Sequence, residues 1–592
     1  MIQLSRIYKW RSDDLVWSHM SHRRGRMPGS QPQANKHSER RRAEWRVLGA
    51  ASMQVRSFLR KVLPHGCNAS DLNFRPMNLT SLKAISVTSL LLLCVRFPAC
   101  GADHYKEPLR PQFHFTPPSN WINDPNGMVF LDGEYHLFFQ HNPFGDKWGH
   151  MSWGHAVSHD LTHWVHLPLA LGEDAGVMVF SGSAVVDHRN TSGFGKDGKP
   201  PLVAIYTGHY TTQPLQNQQI AYSNDRGRTW TRYAGNPVLD IGEKDFRDPK
   251  VSWHEPTGRW LMAVSWPIER KVRFFSSPNL KDWTHLSDFG PAGSTNGIWE
   301  CPDLFPLSIA GKTKWILIVN VGSGAPAGGS GCQYFVGDFD GVRFRAEGRA
   351  SGAIKPAEDA LWIDHGPDFY AAVSWNDVPK RDGRRLWLGW MSNWNYANDV
   401  PTSPWRSAMT IPRELSLYQS SEGIRLKQSP VRELTRLRGK RSHFGGGSIE
   451  EVNDWLQSHS VRGDNLEFRV EFDPLQQGVE GIKLFKSDRE ELFVGLDRTA
   501  GRVFVDRTKS GNTSFHPKFS GVHSVALPLP QARVSMRIFV DASSVEVFVN
   551  EGERALTELA FPSSGSRNVE FVSSNVHARI AQLDVWYLKS IW

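Results

Sequence analysis

The chain has 592 residues, enough for two or more domains, and its formal net charge of +9 would by itself suggest a nucleic-acid or anionic-surface partner. The charge is not spread. Residues 1–76 hold 15 Lys+Arg against 5 Asp+Glu, which leaves 54 against 55 in the remainder. A nearly neutral globular part has no broad electrostatic footprint, so no nucleic-acid partner is expected.

Residues 1–76, rich in Arg, Ser, Gln and His, show no sustained apolar period. They read as a disordered or non-native N-terminal extension. Residues 77–102 resemble a secretory signal peptide: Met77 opens it, Lys83 gives the positive charge, Ala84 to Val95 the apolar core, and Ala99-Cys-Gly101 a small-residue cleavage site. The apolar run is too short to span a bilayer, so no transmembrane segment is expected and the protein reads as secreted, extracellular or periplasmic. Cleavage after Gly101 would leave Cys301 and Cys332. That is too few for a disulfide framework, and no C-x-x-C spacing suggests zinc.

From Tyr105 onward strand-like alternation dominates and helical periodicity is scarce. Met128 to Phe139 reads as two strands joined at Asp132-Gly133. A degenerate repeat runs through Ser158-His-Asp-Leu-Thr-His-Trp164, Ser223-Asn-Asp-Arg-Gly-Arg-Thr-Trp230 and Ser277-Pro-Asn-Leu-Lys-Asp-Trp283. Asp124, Ser181, Asp248, Glu300 and Asp368 step along the chain at comparable intervals. Repeated all-β units of this length suggest propeller blades, and five landmarks suggest five. The expected fold is all-β: a five-bladed β-propeller over 105–416, a linker over 417–445 and a β-sandwich over 446–592. The sandwich rests on alternating runs at Leu466–Phe472, Val534–Val540 and Val545–Val549. The linker rests on the charged residues from Ser420 to Arg441 and on Gly445-Gly-Gly447.

Three motifs carry the chemistry: Trp121-Ile-Asn-Asp124-Pro-Asn-Gly127, Phe246-Arg-Asp248-Pro249 and Trp299-Glu300-Cys-Pro-Asp303. An Asp beside a Pro is ordinarily a turn residue. Here each acid is flanked by aromatic, Pro or Asn residues instead of the mixed charges of a solvated face. Glycosidic hydrolysis needs such carboxylates in an aromatic-lined cleft. His155, His159 and His163 recur at four-residue steps, but on a strand and turn they do not make a metal site, and Gly322 to Gly331 lacks the context of a phosphate loop.

These motifs, in this order, resemble glycoside hydrolase family thirty-two, the β-fructofuranosidases, which include invertases, exo-inulinases, levanases and fructan exohydrolases. Phe138 to Phe144, Trp148 to His155, Phe180 to Ser183, Asp368 to Ala371 and Trp390 to Trp394 extend the likeness to the whole chain after Tyr105. The resemblance implies the same propeller and sandwich, and a retaining exo-β-fructosidase acting on terminal fructosyl units of levan, inulin and sucrose. It implies Asp124 as nucleophile, Glu300 as acid/base and Asp248 as acceptor of fructosyl hydroxyls, with Arg247 orienting the ring. Asn123, Gln140, Trp148, Ser181, Tyr370 and Trp394 are the implied substrate-binding residues, with no metal and no cofactor. Trp299 would cover Glu300 so that it holds a proton while Asp124 stays ionised. The run Val400 to Leu415 looks closer to levanases and exo-inulinases than to plant invertases. A fructosyltransferase with the same triad and a non-catalytic fructan-binding propeller are the alternatives, and oligomeric state is left open.

Overall fold

The computed structural model describes residues 105–347, 360–527 and 533–592. The expected extension over 1–76 and signal peptide over 77–102 lie outside the described residues. Within them the regular secondary structure is almost wholly strand, as antiparallel blades and a two-sheet sandwich.

Blades one to four are meanders of four consecutive strands, and blade five is built from Tyr370–Ser374, Arg385–Met391, Arg413–Ser420 and Gly423–Pro430. The innermost strands are Asn120–Leu131, Val177–Val186, Arg247–His254, Trp299–Ile309 and Tyr370–Ser374. Their central residues are buried on both faces, because neighbouring blades cover each side. Blade one turns at Asp132-Gly133, both with positive φ, and pairs Leu131 with Glu134 as the sequence suggests. The ring is closed by Trp405–Arg406, which pairs in parallel with Asn120 and Trp121.

The Ser-x-Asp/Asn repeats form the turns between the third and fourth strands of blades one to three. In each, the serine hydroxyl accepts the amide two residues on, and the Asp or Asn oxygen accepts later turn amides: Thr162 and His163 on Asp160, Thr229 on Asp225, Lys281 and Asp282 on Asn279. Such side chains satisfy turn backbone that strands leave unpaired. Blade four has a shorter version the sequence did not reveal, with Asp340 accepting Val342 and Arg343.

The expected linker over 417–445 is not a linker. Residues 413–420 and 423–430 are the outer hairpin of blade five, a short 3-10 turn follows at Arg432–Leu437, and Arg438–Phe444 is already an edge strand of the sandwich. The charges that suggested a linker are the solvent side of these edge strands, where Arg425 pairs with Glu422 and Lys427 with Glu551. The sandwich stacks a sheet of Arg438–Phe444, Arg579–Leu588, Leu466–Phe472, Val534–Asp541, Ser544–Val549 and Arg554–Leu559 on a second sheet of five strands. Val470, Ile538, Val547, Ile482, Val494 and Val505 fill the space between. The helix Ile449–Ser458 opens with a capping box in which Ser448 and Glu451 satisfy each other's amides.

Sandwich and propeller share one core. Phe539, Phe548 and Trp586 pack into the cluster that holds Phe113, Trp121 and Trp390. Buried ions cross the same seam: Arg413 pairs with Asp364 and Glu546, and Arg507 with Asp368 and Glu558. Asp368, expected to mark the fifth blade's axial position, instead turns its carboxylate to Arg507, Tyr396 and the Leu559 amide. Such pairs offset the high cost of burying each charge and hold one register between the two parts.

Candidate active site

Asp124, Ser181, Asp248, Glu300 and Tyr370 all lie on innermost strands, one per blade. At each of these points the ladder slips: bulges fall between Ile122 and Pro125, Val179 and Gly182, Glu300 and Asp303, and Tyr370 and Val373, and opposite Asp248 between Ala263 and Ser265. A bulge re-aims side chains that strict alternation would point elsewhere. Asp248 (φ 66°), Cys301 (φ 43°) and Ala371 (φ 51°) sit in the left-handed region. This costs about 1–3 kcal/mol per residue and persists only where surroundings enforce it. Gly182 is required beside Ser181, since a Cβ there would meet Ile205 O at 2.1 Å.

Four of the five positions open into a funnel of about 620 Å3, lined by Asp124, Asp248 and Glu300 with Asn123, Gln140, Trp148, Ser181, Arg247 and Trp394. Tyr370, expected to touch substrate, is not on this wall. It is buried behind Glu300 and donates its hydroxyl to Glu300 Oε2 at 2.5 Å. Burial, followed by the Glu300 charge, raises the phenol well above its ordinary range and keeps it a donor. Arg247 approaches from the other side, donating through Nε (3.1 Å) and Nη2 (2.9 Å) to Glu300 Oε1. Both Glu300 oxygens are thereby fixed.

Asp124 accepts from Ser181 Oγ at 2.6 Å, Asn123 Nδ2 at 3.0 Å and Cys301 Sγ at 3.4 Å. Burial pushes its carboxyl upward and the Glu300 charge adds to this, while the three donors pull it back toward the ionised form. Asp248 is buried too, and burial with the charges of Glu300 and Asp124 brings it to about 7 against the pull of Arg247 and the Cys301 amide, which donates to Oδ2 at 3.0 Å. Cys301 thus touches two of the three acids, its thiol held neutral by burial and by their charge. Trp299 does not cover Glu300 as expected. It packs between Phe289 of blade three and Phe335 of blade four, with its indole N–H on Ser294 O; Arg247 and Tyr370 hold Glu300 instead.

The funnel is blind. Beneath the acids Ser183 ties to Pro249 O, Lys250 to Asp303 and Ser374 O, and Asn376 from blade five reaches Ala184 O and Val251 O on blades two and three. Its mouth is aromatic: Trp394 stacks on Trp121 and packs on Trp390, and Trp148 meets Phe180 edge-on.

Several wall residues carried no motif. His209 stacks on Phe180 with centroids 4.4 Å apart, and Asp245 and Gln216 hold Arg247 Nη1 at 3.0 and 3.3 Å. The Gly322 run stands at the rim as a sculpted turn. A Cβ on Gly329 would meet Asn393 Oδ1 at 2.1 Å, and Ser330 Oγ accepts the Trp394 amide. The three histidines go separate ways: His155 onto His136, His159 onto Gly133 O and His163 onto Asp160.

Comparison with known proteins agrees with this architecture. The Glycosyl hydrolases family 32 N-terminal domain matches residues 114–430 and the family's C-terminal domain residues 433–587. A levanase of Bacillus subtilis is 49% identical over 526 residues, covering 86% of this chain and 75% of that protein. An extracellular exo-inulinase of Aspergillus niger is 40% identical over 544 residues, covering 86% and 99%. The crystal structure of an exo-inulinase from Aspergillus awamori superposes with a TM-score of 0.75 at 39% identity, covering 82% of this chain and 100% of that one. With both domain matches abutting at the seam between propeller and sandwich, the chain belongs to glycosyl hydrolases family 32 and is a glycoside hydrolase.

Proposed function

We propose that the protein is an exported retaining exo-β-fructosidase that releases terminal fructose from levan or inulin, and from sucrose. The observation that carries this reading is a blind funnel with three carboxylates from three blades at its floor. A blind site admits a chain end and excludes a chain middle. The similar levanase and exo-inulinases are consistent with a fructan as the substrate.

In this reading Asp124 attacks the anomeric carbon of the terminal fructosyl unit as Glu300 gives its proton to the departing oxygen. Glu300 then takes a proton from the water that displaces Asp124 from the fructosyl-enzyme. Ser181 and Asn123 hold the Asp124 oxygens so that the attack needs no reorganisation. Asp248 accepts hydrogen bonds from fructosyl hydroxyls, strongest as the ring flattens toward the oxocarbenium ion. Arg247 orients Glu300 through Nε and Nη2 and lies 4.0 Å from Asp248. Export rests on the signal-like segment before Tyr105 and on relatives named as extracellular; among the described residues no helix is long and apolar enough to cross a membrane.

Chromatography of the early products from sucrose, inulin and levan tests the reading. Free fructose as the sole small product from polymer supports it. Oligosaccharides longer than sucrose would favour transfer, internal fragments would favour attack within the chain, and binding without release would leave a fructan-binding propeller.

A further inference from the structure

The loop between the second and third strands of blade one, Asn142 to Met151, carries three exposed rings. Phe144 is 76% exposed and Trp148 41%, and the His150 side chain is 59% exposed. A single exposed aromatic is ordinary. These differ in standing on a loop tied down along its length. Asn142 Oδ1 accepts the Phe144 amide at 2.9 Å and Asn142 Nδ2 donates to Lys147 O at 2.8 Å, which closes the turn on itself. Arg406 pairs with Asp146 at 2.7 Å, and Asn398 holds the Trp148 amide through Oδ1 at 3.0 Å and Lys147 through its carbonyl. His150 is fixed by Glu173 at 2.7 Å and stands edge-on to Phe144, with centroids 5.4 Å apart.

The loop is also continuous with the funnel. Trp148 lines it and packs on Phe180, which stacks on His209 farther along the wall. Asn398 and Arg406, which clamp the loop, belong to the segment that follows Trp394, itself a funnel-lining residue. Because the funnel is blind, a polymer held by its end can leave only across this mouth. A rigid, flat apolar ring beside that exit suits the apolar face of a sugar, and a loop already tied down gives up little freedom on binding.

We propose that Phe144, with His150 and Trp148 beside it, is an outer binding platform for fructosyl units two or more residues from the bond being cleaved. The platform sets a preference for long fructan chains over sucrose and rests on the exo-fructosidase reading above. Phe144 is not among the funnel-lining residues, so sucrose, with one sugar beyond the bond, is expected to bind without it.

Steady-state kinetics of Phe144→Ala and Phe144→Trp on sucrose, a fructan trisaccharide and high-molecular-mass levan and inulin test this. The expected result for Phe144→Ala is a rise in KM on polymer of about fivefold to tenfold, the loss of one aromatic contact, with kcat and the sucrose parameters unchanged. Phe144→Trp keeps the polymer KM within about twofold, since the ring is retained. An unchanged polymer KM in Phe144→Ala would overturn the platform, and an equal loss on sucrose and polymer would place Phe144 in the inner site instead. Failure of the wild type to release fructose from any of these substrates would overturn the proposed function, and the platform with it.

Discussion

Tyr370 donates its hydroxyl to Glu300 Oε2 at 2.5 Å from inside the fifth blade, opposite the two guanidinium contacts that hold Glu300 Oε1. The phenol is fully buried and does not line the funnel. It therefore acts on the substrate only through Glu300, by keeping that carboxyl aimed at the departing oxygen. Tyr370→Phe removes the hydrogen bond and leaves the ring packing against Trp390. The expected outcome is a fall in kcat of about tenfold with KM nearly unchanged, as for a lost group that matters only in the transition state. Stopped assays over a substrate series distinguish this from a binding defect.

Asp124→Asn and Glu300→Gln preserve shape and remove charge. Asp124→Asn is expected to lower kcat by about four orders of magnitude or more, since without the nucleophile neither step proceeds. Glu300→Gln is expected to lose about 10²–10⁴-fold, the usual contribution of a general acid, and to lose less with donors whose leaving group needs no proton. Initial rates on sucrose and an activated fructoside check both.

Asp248 works against stability. In the folded protein its carboxyl stands at about 7, raised by burial and by Glu300 and Asp124, against about 4 in an unfolded chain. The folded state therefore binds the proton more tightly, and stability is lost as pH rises from about 4 through 7. Asp248→Asn removes this cost: Tm should exceed that of the wild type by a margin that widens over that window, while activity is abolished. Thermal denaturation at pH 4, 5.5 and 7.5 tests the sign.

His114 has the opposite behaviour. Both ring nitrogens face carboxylates, Asp541 at 2.7 Å and Glu546 at 2.8 Å, so both must carry hydrogen. Burial alone would lower the imidazole; the two carboxylates raise it to about 9. Its stabilisation is fully present below about pH 6.5 and is lost as pH rises through about 9. Breaking this buried group with His114→Ala should cost about 3–5 kcal/mol near neutrality. The difference should shrink toward pH 9 in denaturant titrations, because the wild type loses its own bond there.

What the sequence discloses and what it hides follow from the fold. The acids were legible because each sits in a short contiguous motif. The blades were legible because Asp124, Ser181, Asp248, Glu300 and Asp368 recur at comparable intervals, beside a degenerate Ser-x-Asp/Asn repeat in blades one to three. Gln216 and His209 were not legible, since strand pairing and the ring of blades, not sequence proximity, bring them to Arg247 and the funnel wall, whereas Asp245 stands just outside the motif, two residues before Arg247. Trp299 misled for a related reason: it and Glu300 are consecutive in regular strand register, so alternation sends their side chains to opposite faces, and adjacency in the motif does not mean contact. The helix Ile449–Ser458 did leave a trace in Ser448-Ile-Glu-Glu451, which the charge-rich segment around it obscured. The supposed linker failed because solvent-facing edge strands of both domains are as charged as a linker would be.

The central claim is double displacement at Asp124. It is tested most directly by running the reaction with levan in the presence of methanol and reading the anomer of the methyl fructofuranoside by NMR. Methyl β-fructofuranoside from the wild type, and none from Asp124→Asn, is the result expected of a fructosyl-Asp124 intermediate. The α-anomer, or undiminished β-anomer from Asp124→Asn, would contradict it.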